Sequence, residues 1–388
     1  MSSILRLINS NSKCFSAYIT TKAIKRMQTY RIRGSRLRHP RRLLLPLSYG
    51  PSSSSLLFIL DNHLQGQYNK THKVTYELVV VHIDFFVTST DRDFSSEKLE
   101  QYRSLFSRHL FISHGLEESL DLEGIDWDSL GIPRLSQNGS LTERLQNFLS
   151  SAKSTTDRAD IISILMTRLL VDIGKNNACD GILFGDSTTR LAEKTLTETA
   201  KGRGIAVPWQ ICDGATPYDI DFNYPLRDVL KKEILSFSRI KSVLQELVVY
   251  DQMAHISASS KSVTINDLMA QYFQSIETSF PSIVSNVVKT SSKLSIVVDN
   301  STIYCGICGV PCYGNQVTSR ESDETSDTSL SIDKLNLANI VCYGCSKIVG
   351  DKNFNFLPSY RLCDGYYSEY KFISLISSFK ETLLQTFA

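Results

Sequence analysis

Acidic residues are missing from the opening of this chain. The first acid is Asp61, and residues 1–46 carry eleven Lys or Arg with none to balance them. Of the 42 basic residues in the 388, that leaves 31 to set against 40 acids, so the net charge of +2 conceals a body at about −9. A basic, Ser-containing, acid-free start has the composition of a mitochondrial transit peptide. It equally suits an arm that lies along nucleic-acid phosphates, or a solvated tail. Arg33, Arg36, Arg38, Arg41 and Arg42 run straight into the first apolar segment, which favours the phosphate-binding arm over a removable leader. No apolar run approaches the length of a bilayer span, so no membrane role is expected. With 42% hydrophobic and 21% charged residues, composition points to globular domains.

Cysteine is absent from the whole stretch between Phe86 and Asn177, while six of the nine cysteines fall between Cys305 and Cys363. Two short knuckles stand out there, Cys305-x2-Cys308 and Cys342-x2-Cys345, separated by 33 residues. Each puts two thiolates on one tight turn, and two such turns make the tetrahedral sulfur set that zinc prefers. A closed zinc ribbon is therefore expected, with a structural metal, because four thiolates leave no open coordination position. Two disulfides are the alternative, disfavoured without a signal peptide. Cys312 and Cys363 are surplus and read as buried thiols. The Ser/Thr/Asp-rich segment 317–334 between the knuckles has no apolar period and reads as a disordered insertion.

Strand and helix patterns alternate through the middle. "LLLPL" precedes a Ser-rich turn and a helix near 53–64; "YELVVVHIDFF" is a continuous β-branched run, then a helix near 95–107 and the strand "HLFISH". Residues 115–139 are acidic and loop-like. A helix over 155–176, the strand "DGILFGD", a helix over 189–203 and a further strand "AVPWQIC" follow, with helix again near Lys231 and Lys232 and over 265–288. This alternation predicts an α/β fold, a doubly wound parallel sheet whose ligands meet the carboxyl ends of the strands. The expected division is a basic arm over 1–42, an α/β domain over 43–250, a helical connector over 251–300, and the ribbon with a C-terminal helix over 301–388.

Two turns would then face one crevice. Ser48, Gly50, Ser52 and Ser53 supply amides and hydroxyls after the first strand; Asp186, Thr188 and Arg190 lie opposite. Strand, turn and helix of this kind hold phosphates, although helix capping explains Asp186 and Ser187 as well. Lys201 and Arg203, ending a helix, suit either its dipole or an RNA contact.

"LLLPLSYGPSSSSLL", "DGILFGDSTTRLAEKTLTETAKGRGIAVPWQICDG" and "YPLRDVLKKEI", followed by the two knuckles, resemble the second subunit of the cytoplasmic tRNA 2-thiolation complex. That family is a divergent branch of the PP-loop ATP-pyrophosphatases, with an adenine nucleotide alpha hydrolase-like fold. The resemblance implies a cytoplasmic role in forming the 2-thio wobble uridine of tRNA, as a heterodimer with a catalytic PP-loop paralogue. Sulfur would come from a thiocarboxylated ubiquitin-like modifier. Candidate tRNA contacts are Lys22, Lys25, Arg26, Arg31 and Arg33.

The departures from the family's pattern decide the expected mechanism. A working loop resembles S-G-G-x-D-S; here Ser48 and Gly50 match, but Tyr49 replaces the first glycine and Ser52 the acid. Active thiolases resemble G-H-N-x-D-D-x-A-E-T; here Ala192 and Glu193 match, while Thr189 and Arg190 occupy the paired-acid positions. No cysteine pair precedes the long central helix, and Cys179 and Cys212 are single, so neither a persulfide relay nor an iron–sulfur cluster can be assembled from them. The resemblance implies cysteine knuckles at the N-terminus; only Cys14 remains, so 1–42 reads as the remnant of such a module, with a complete start and a shortened gene model both open. The expectation is a non-catalytic scaffolding subunit with structural zinc. ATP enters under a second reading, an adenylating sulfurtransferase in its own right. A third reading is a zinc-ribbon interaction module.

Overall fold

The computed structural model describes residues 2–30, 40–84, 89–122, 140–250, 263–294, 303–312 and 342–349. A helix α1 (Ser2–Arg26) leads through a 3-10 turn to β1 (Arg41–Pro46). There follow α2 (Pro51–Thr71), β2 (Tyr76–Asp84), α3 (Ser89–Leu105) and β3 (Leu110–Gly115). After α4 (Leu141–Ser150) and α5 (Thr155–Asn176) come β4 (Gly181–Leu183), α6 (Thr188–Ala200), α7 (Val207–Ile211) and β5 (Asp221–Asn223). Helices α8 (Lys231–Ile240), α9 (Ser242–Leu247), α10 (Ile265–Ser279) and α11 (Pro281–Ser291) precede the cysteine region. That region holds the hairpin β6 (Ile303–Tyr304) and β7 (Pro311–Cys312), and α12 (Tyr343–Val349).

The five strands β1 to β5 form one parallel sheet in the order β3-β2-β1-β4-β5. β1 is central, paired with β2 through Leu44↔Val79 and with β4 through Leu44↔Ile182. Covered on both faces, it has no polar face to present, which is why Leu43, Leu44 and Leu45 are consecutive and all fully buried. The chain builds outward from β1 to β3 and then returns to the other side at β4. The carboxyl ends of β1 and β4 are thus the switch point, where a doubly wound sheet opens its crevice. The turns 47–50 and 184–187 sit there.

Helix boundaries follow local chemistry. α2 begins with Gly50 extended (φ −73°, ψ 166°) and Pro51 in its first turn, where a missing N–H is harmless. Ser154 and Ser187 cap α5 and α6 by accepting from the amides of Asp157 and Arg190. The expected helix over 265–288 is two helices, because Phe280 before Pro281 leaves the helical region (φ −136°).

One expected strand is absent. "AVPWQIC" forms a 3-10 turn and the short helix α7, and the edge strand is Asp221–Asn223 instead. Pro208 lacks the N–H a ladder needs and suits a helix start, whereas Phe222 packs edge-on against Phe184 at 5.0 Å between ring centres. A seven-residue apolar pattern does not distinguish the two by periodicity. The segment before β1 is not a free tail either: Ile19 and Ala23 of α1, which packs on α2 and α8, and Met27 just after it are buried. No described helix is long and apolar enough to cross a membrane. Arg31, Arg33, the insertion 317–334, Cys363 and the C-terminal helix lie outside the described residues.

A closed nucleotide loop and a cysteine tetrad

The loop after β1 turns on Tyr49, whose φ of 59° is the left-handed conformation that glycine adopts freely. A tyrosine is held there by what its ring and backbone meet. The ring is 4% exposed, stacks on His82 at 4.1 Å and lies beside Tyr102 at 5.5 Å. Its hydroxyl donates to Ser95 O (3.0 Å) and its carbonyl accepts from Val249 N (2.9 Å). Burial raises the Tyr49 phenol well above its ordinary range and pushes Tyr102 up to about 12, so both hydroxyls stay protonated.

Loop groups that would face a phosphate are turned on each other. Ser48 N donates to Ser53 Oγ (3.2 Å), the two hydroxyls are 3.1 Å apart, and Ser53 Oγ donates to Gly50 O (3.3 Å). Pro51 removes one amide from the first turn of α2. The opposing turn presses on this knot: a Cβ at Gly185 would stand 3.0 Å from the Cα and N of Ser53. So Ser48, Gly50 and Ser53 do come together with the second turn, as the sequence implies, but around their own bonds.

The second turn is equally engaged. Asp186 accepts from Lys194 Nζ (2.5 Å), Thr188 Oγ1 donates to Arg227 O (2.7 Å), and Arg190 pairs with Glu193 (3.0 Å). Thr189 is fully buried, donating to Glu277 Oε1 (3.0 Å) and accepting from Lys231 N (3.0 Å). A position where active relatives resemble an acid is here a staple joining α6, α8 and α10.

Lys22 and Arg26 are fixed on the body. Lys22 Nζ donates to Asp228 O (2.7 Å), and Arg26 bonds both oxygens of the Asp228 carboxylate (2.6 and 2.9 Å). With Arg227, Lys289 and the acids Asp213 and Asp228, which pair with Arg26 and Arg227, they line a cleft of about 540 Å³, and Lys25 is exposed. Lys201 and Arg203 are not available to RNA. Both are buried, with Lys201 on Asp160 (2.5 Å) and Glu198 (3.5 Å) and Arg203 on the same two carboxylates at 2.8 and 2.7 Å. Sequence reasoning missed Asp160 and Glu198, and also His82 and Tyr102, because single acids and rings in periodic segments carry no local signal. Cys179 and Cys212 are partly buried single thiols, Cys179 pushed up to about 11 by burial, and Cys212 also raised by it.

The four knuckle cysteines meet as the spacing requires. The sulfurs of Cys305, Cys308, Cys342 and Cys345 all lie within 4.8 Å of one another, all four residues buried. Cys308 Sγ and Cys342 Sγ are 3.7 Å apart, matching the edge of about 3.8 Å implied by tetrahedral bonds of about 2.3 Å to zinc. Cys342 N and Cys345 N donate to the sulfurs of Cys305 and Cys342 (3.3 and 3.5 Å). Hydrogen bonding to Cys305 and burial hold the Cys308 and Cys345 thiols well above their usual range; a cation among them would reverse that sign. The donor set fits a metal ion. The tetrad is docked on the domain: Tyr218 Oη donates to Cys308 O (2.5 Å), and a Cβ at Gly344 would strike the Arg203 stem.

Against known proteins, residues 264–347 match the model of the family described as cytoplasmic tRNA 2-thiolation protein 2. A protein of that name from Sclerotinia sclerotiorum is 57% identical over 278 residues, 71% of this chain and 75% of the relative. The chain belongs to this family. A Phaeosphaeria nodorum relative of the same name is 39% identical over 87% of this chain and 88% of its own. The family's name carries a cytoplasmic role in tRNA 2-thiolation. Among solved structures, the U34-tRNA thiolase NcsA from Methanococcus maripaludis, with its 4Fe-4S cluster, aligns at a TM-score of 0.50. At 12% identity over 76% of this chain and 84% of that one, the match supports the PP-loop fold alone.

Proposed function

We propose that this protein is a non-catalytic subunit of a cytoplasmic tRNA thiolase, holding tRNA and a catalytic PP-loop paralogue in a heterodimer while its own nucleotide loop stays shut. The observation that carries this is Tyr49, a buried ring in a left-handed backbone at a glycine position, beside a Ser53 hydroxyl that occupies the Ser48 amide. With the Ser48 amide taken by Ser53 and no N–H at Pro51, the loop has fewer donors to offer a pyrophosphate than an open turn would. The family's name supplies the pathway; sulfur from a ubiquitin-related carrier and a structural zinc in the Cys305, Cys308, Cys342 and Cys345 tetrad belong to the same reading. The cleft lined by Lys22, Arg26, Arg227 and Lys289 is the tRNA-facing surface, with Lys25 beside it and Arg31 and Arg33 continuing the basic run.

Purified alone, the protein should catalyse no ATP–pyrophosphate exchange; that activity should appear only when a catalytic partner is added. Exchange by the isolated chain that vanishes in Ser53→Ala would replace this reading with that of an enzyme in its own right. Absence of tRNA binding at low salt, even with the partner, would leave an interaction module.

A further inference from the structure

Among the described residues, the cysteine knuckles have little of their own to stand on. The hairpin of β6 and β7 has two residues in each strand, and α12 has seven. That is too few side chains for a separate core, yet Ile307, Val310 and all four cysteines are buried. Both knuckles rest on the α/β domain, and in each the backbone itself makes the contact. In the first, Cys305 N donates to Val310 O (2.9 Å) and Gly309 N to Cys305 O (2.8 Å), closing the turn with Gly309 left-handed at φ 71°. This backbone lies flat on Tyr218: a Cβ at Gly309 would stand 2.6 Å from the ring and 2.8 Å from Arg168 Nη1. The Tyr218 hydroxyl donates to Cys308 O (2.5 Å), and its ring stacks on Phe222 of β5 at 5.7 Å.

In the second knuckle a Cβ at Gly344 would stand 2.2 Å from Arg203 Cγ. That stem has little freedom to withdraw. The Arg203 guanidinium is held by Glu198 (2.7 Å) and Asp160 (2.8 Å), with 7% of its side chain exposed. Two side chains of the domain thus fix the two backbones whose separation sets the sulfur positions. Groups that orient metal ligands without touching the metal are worth about 10–100-fold in affinity. Such coupling is reciprocal: an ion that favours the docked knuckles favours, by the same factor, the side chains on which they dock.

We propose that Tyr218 and Arg203 are positioning residues for a metal ion in the cysteine tetrad, and that the ion in return fixes the turn after α6 and the edge strand β5. Neither side chain touches the ion; each acts through the knuckle backbone it holds. The inference rests on the zinc proposed above for these cysteines and adds residues outside the ligand set.

The test uses the full-length protein, stripped of metal under reducing conditions and titrated with Co²⁺, whose absorption reports a tetrahedral thiolate site. Zn²⁺ then displaces the cobalt and gives the zinc affinity. Tyr218→Phe keeps the ring and loses only the hydroxyl. It should weaken Zn²⁺ about tenfold, while the absorption of the loaded site and the melting temperature of the metal-free protein stay as in the wild type. Gly344→Ala separates the alternatives further. In a knuckle standing alone, alanine inside α12 would favour the helix; pressed on the Arg203 stem, it should weaken Zn²⁺ about tenfold or more. In the other direction, Zn²⁺ should slow hydrogen exchange over 198–206 and 216–224 of the wild type. Wild-type affinity in either variant overturns the proposal and leaves the zinc in place. So does a metal-free melting temperature that Tyr218→Phe lowers as much as that of the loaded protein, or exchange that loading leaves unchanged. A wild-type chain that shows no tetrahedral cobalt spectrum loses the zinc reading, and this proposal with it.

Discussion

Two regions of this molecule, the turn after β1 and the cysteine knuckles, differ in how their polar groups are satisfied. At the carboxyl end of β1, Ser48 and Ser53 bond each other, and Tyr49 is held by Ser95 and Val249. At the knuckles all four cysteines are present, buried and within 4.8 Å. A site that closes on its own atoms is complete without a ligand; four clustered thiols are complete only around a cation. The Tyr49 ring is part of the core, while the tetrad has the donor set to take something from outside.

Four measurements test that contrast, from the largest expected effect to the smallest. Removing the metal, by chelation or by Cys345→Ser, should cost more than about 3 kcal/mol of stability in thermal unfolding; an unmoved transition would mean the tetrad, too, is self-sufficient. Tyr49→Gly deletes a buried ring, worth about 3 kcal/mol or more, and relieves left-handed strain of about 1 kcal/mol, for a net loss near 2 kcal/mol in urea titration. It should not restore ATP–pyrophosphate exchange, because Ser52 and Thr189 remain where acids are needed. Acid should loosen the tetrad side before the loop. Burial opposes the charge of Glu198, but Arg203 and Lys201 outweigh it and hold its pKa below the ordinary 4.5. A depressed carboxylate stabilises above its unfolded value and stops doing so as pH falls through the folded one. Stability should therefore drop below about pH 4.5, with a shallower slope in Glu198→Gln. Last, saturating Mg-ATP should leave the melting temperature where it is, whereas a ligand at a hundred times its Kd would add about 2.7 kcal/mol.

Much of this was legible in the residues. The three buried leucines of β1 and the β-branched run of β2 announced a parallel sheet, and the order of elements placed both turns on one edge. The cysteine spacing fixed the tetrad because two-residue gaps leave few geometries. What stayed hidden is what depends on distant partners. Tyr49 read as an obstruction, but that His82, Ser95 and Tyr102 would receive its ring required the folded packing. Lys201 and Arg203 looked like helix-end cations; only the approach of Asp160 from α5 turned them inward. "AVPWQIC" reads as a strand from its residues because a seven-residue apolar pattern does not decide between a short helix and an extended segment. Lys22 and Arg26 read as tRNA contacts, and their engagement with Asp228, two hundred positions away, has no local trace.

The left-handed tyrosine also bears on descent. Once a side chain fills the hollow that its own turn created, restoring glycine alone leaves a void and an unsupported turn before any activity returns. Ancestral chemistry then lies several simultaneous substitutions away, each unfavourable by itself. On the function proposed above, a change of this kind works as a ratchet that would tie the lineage to a companion performing the reaction.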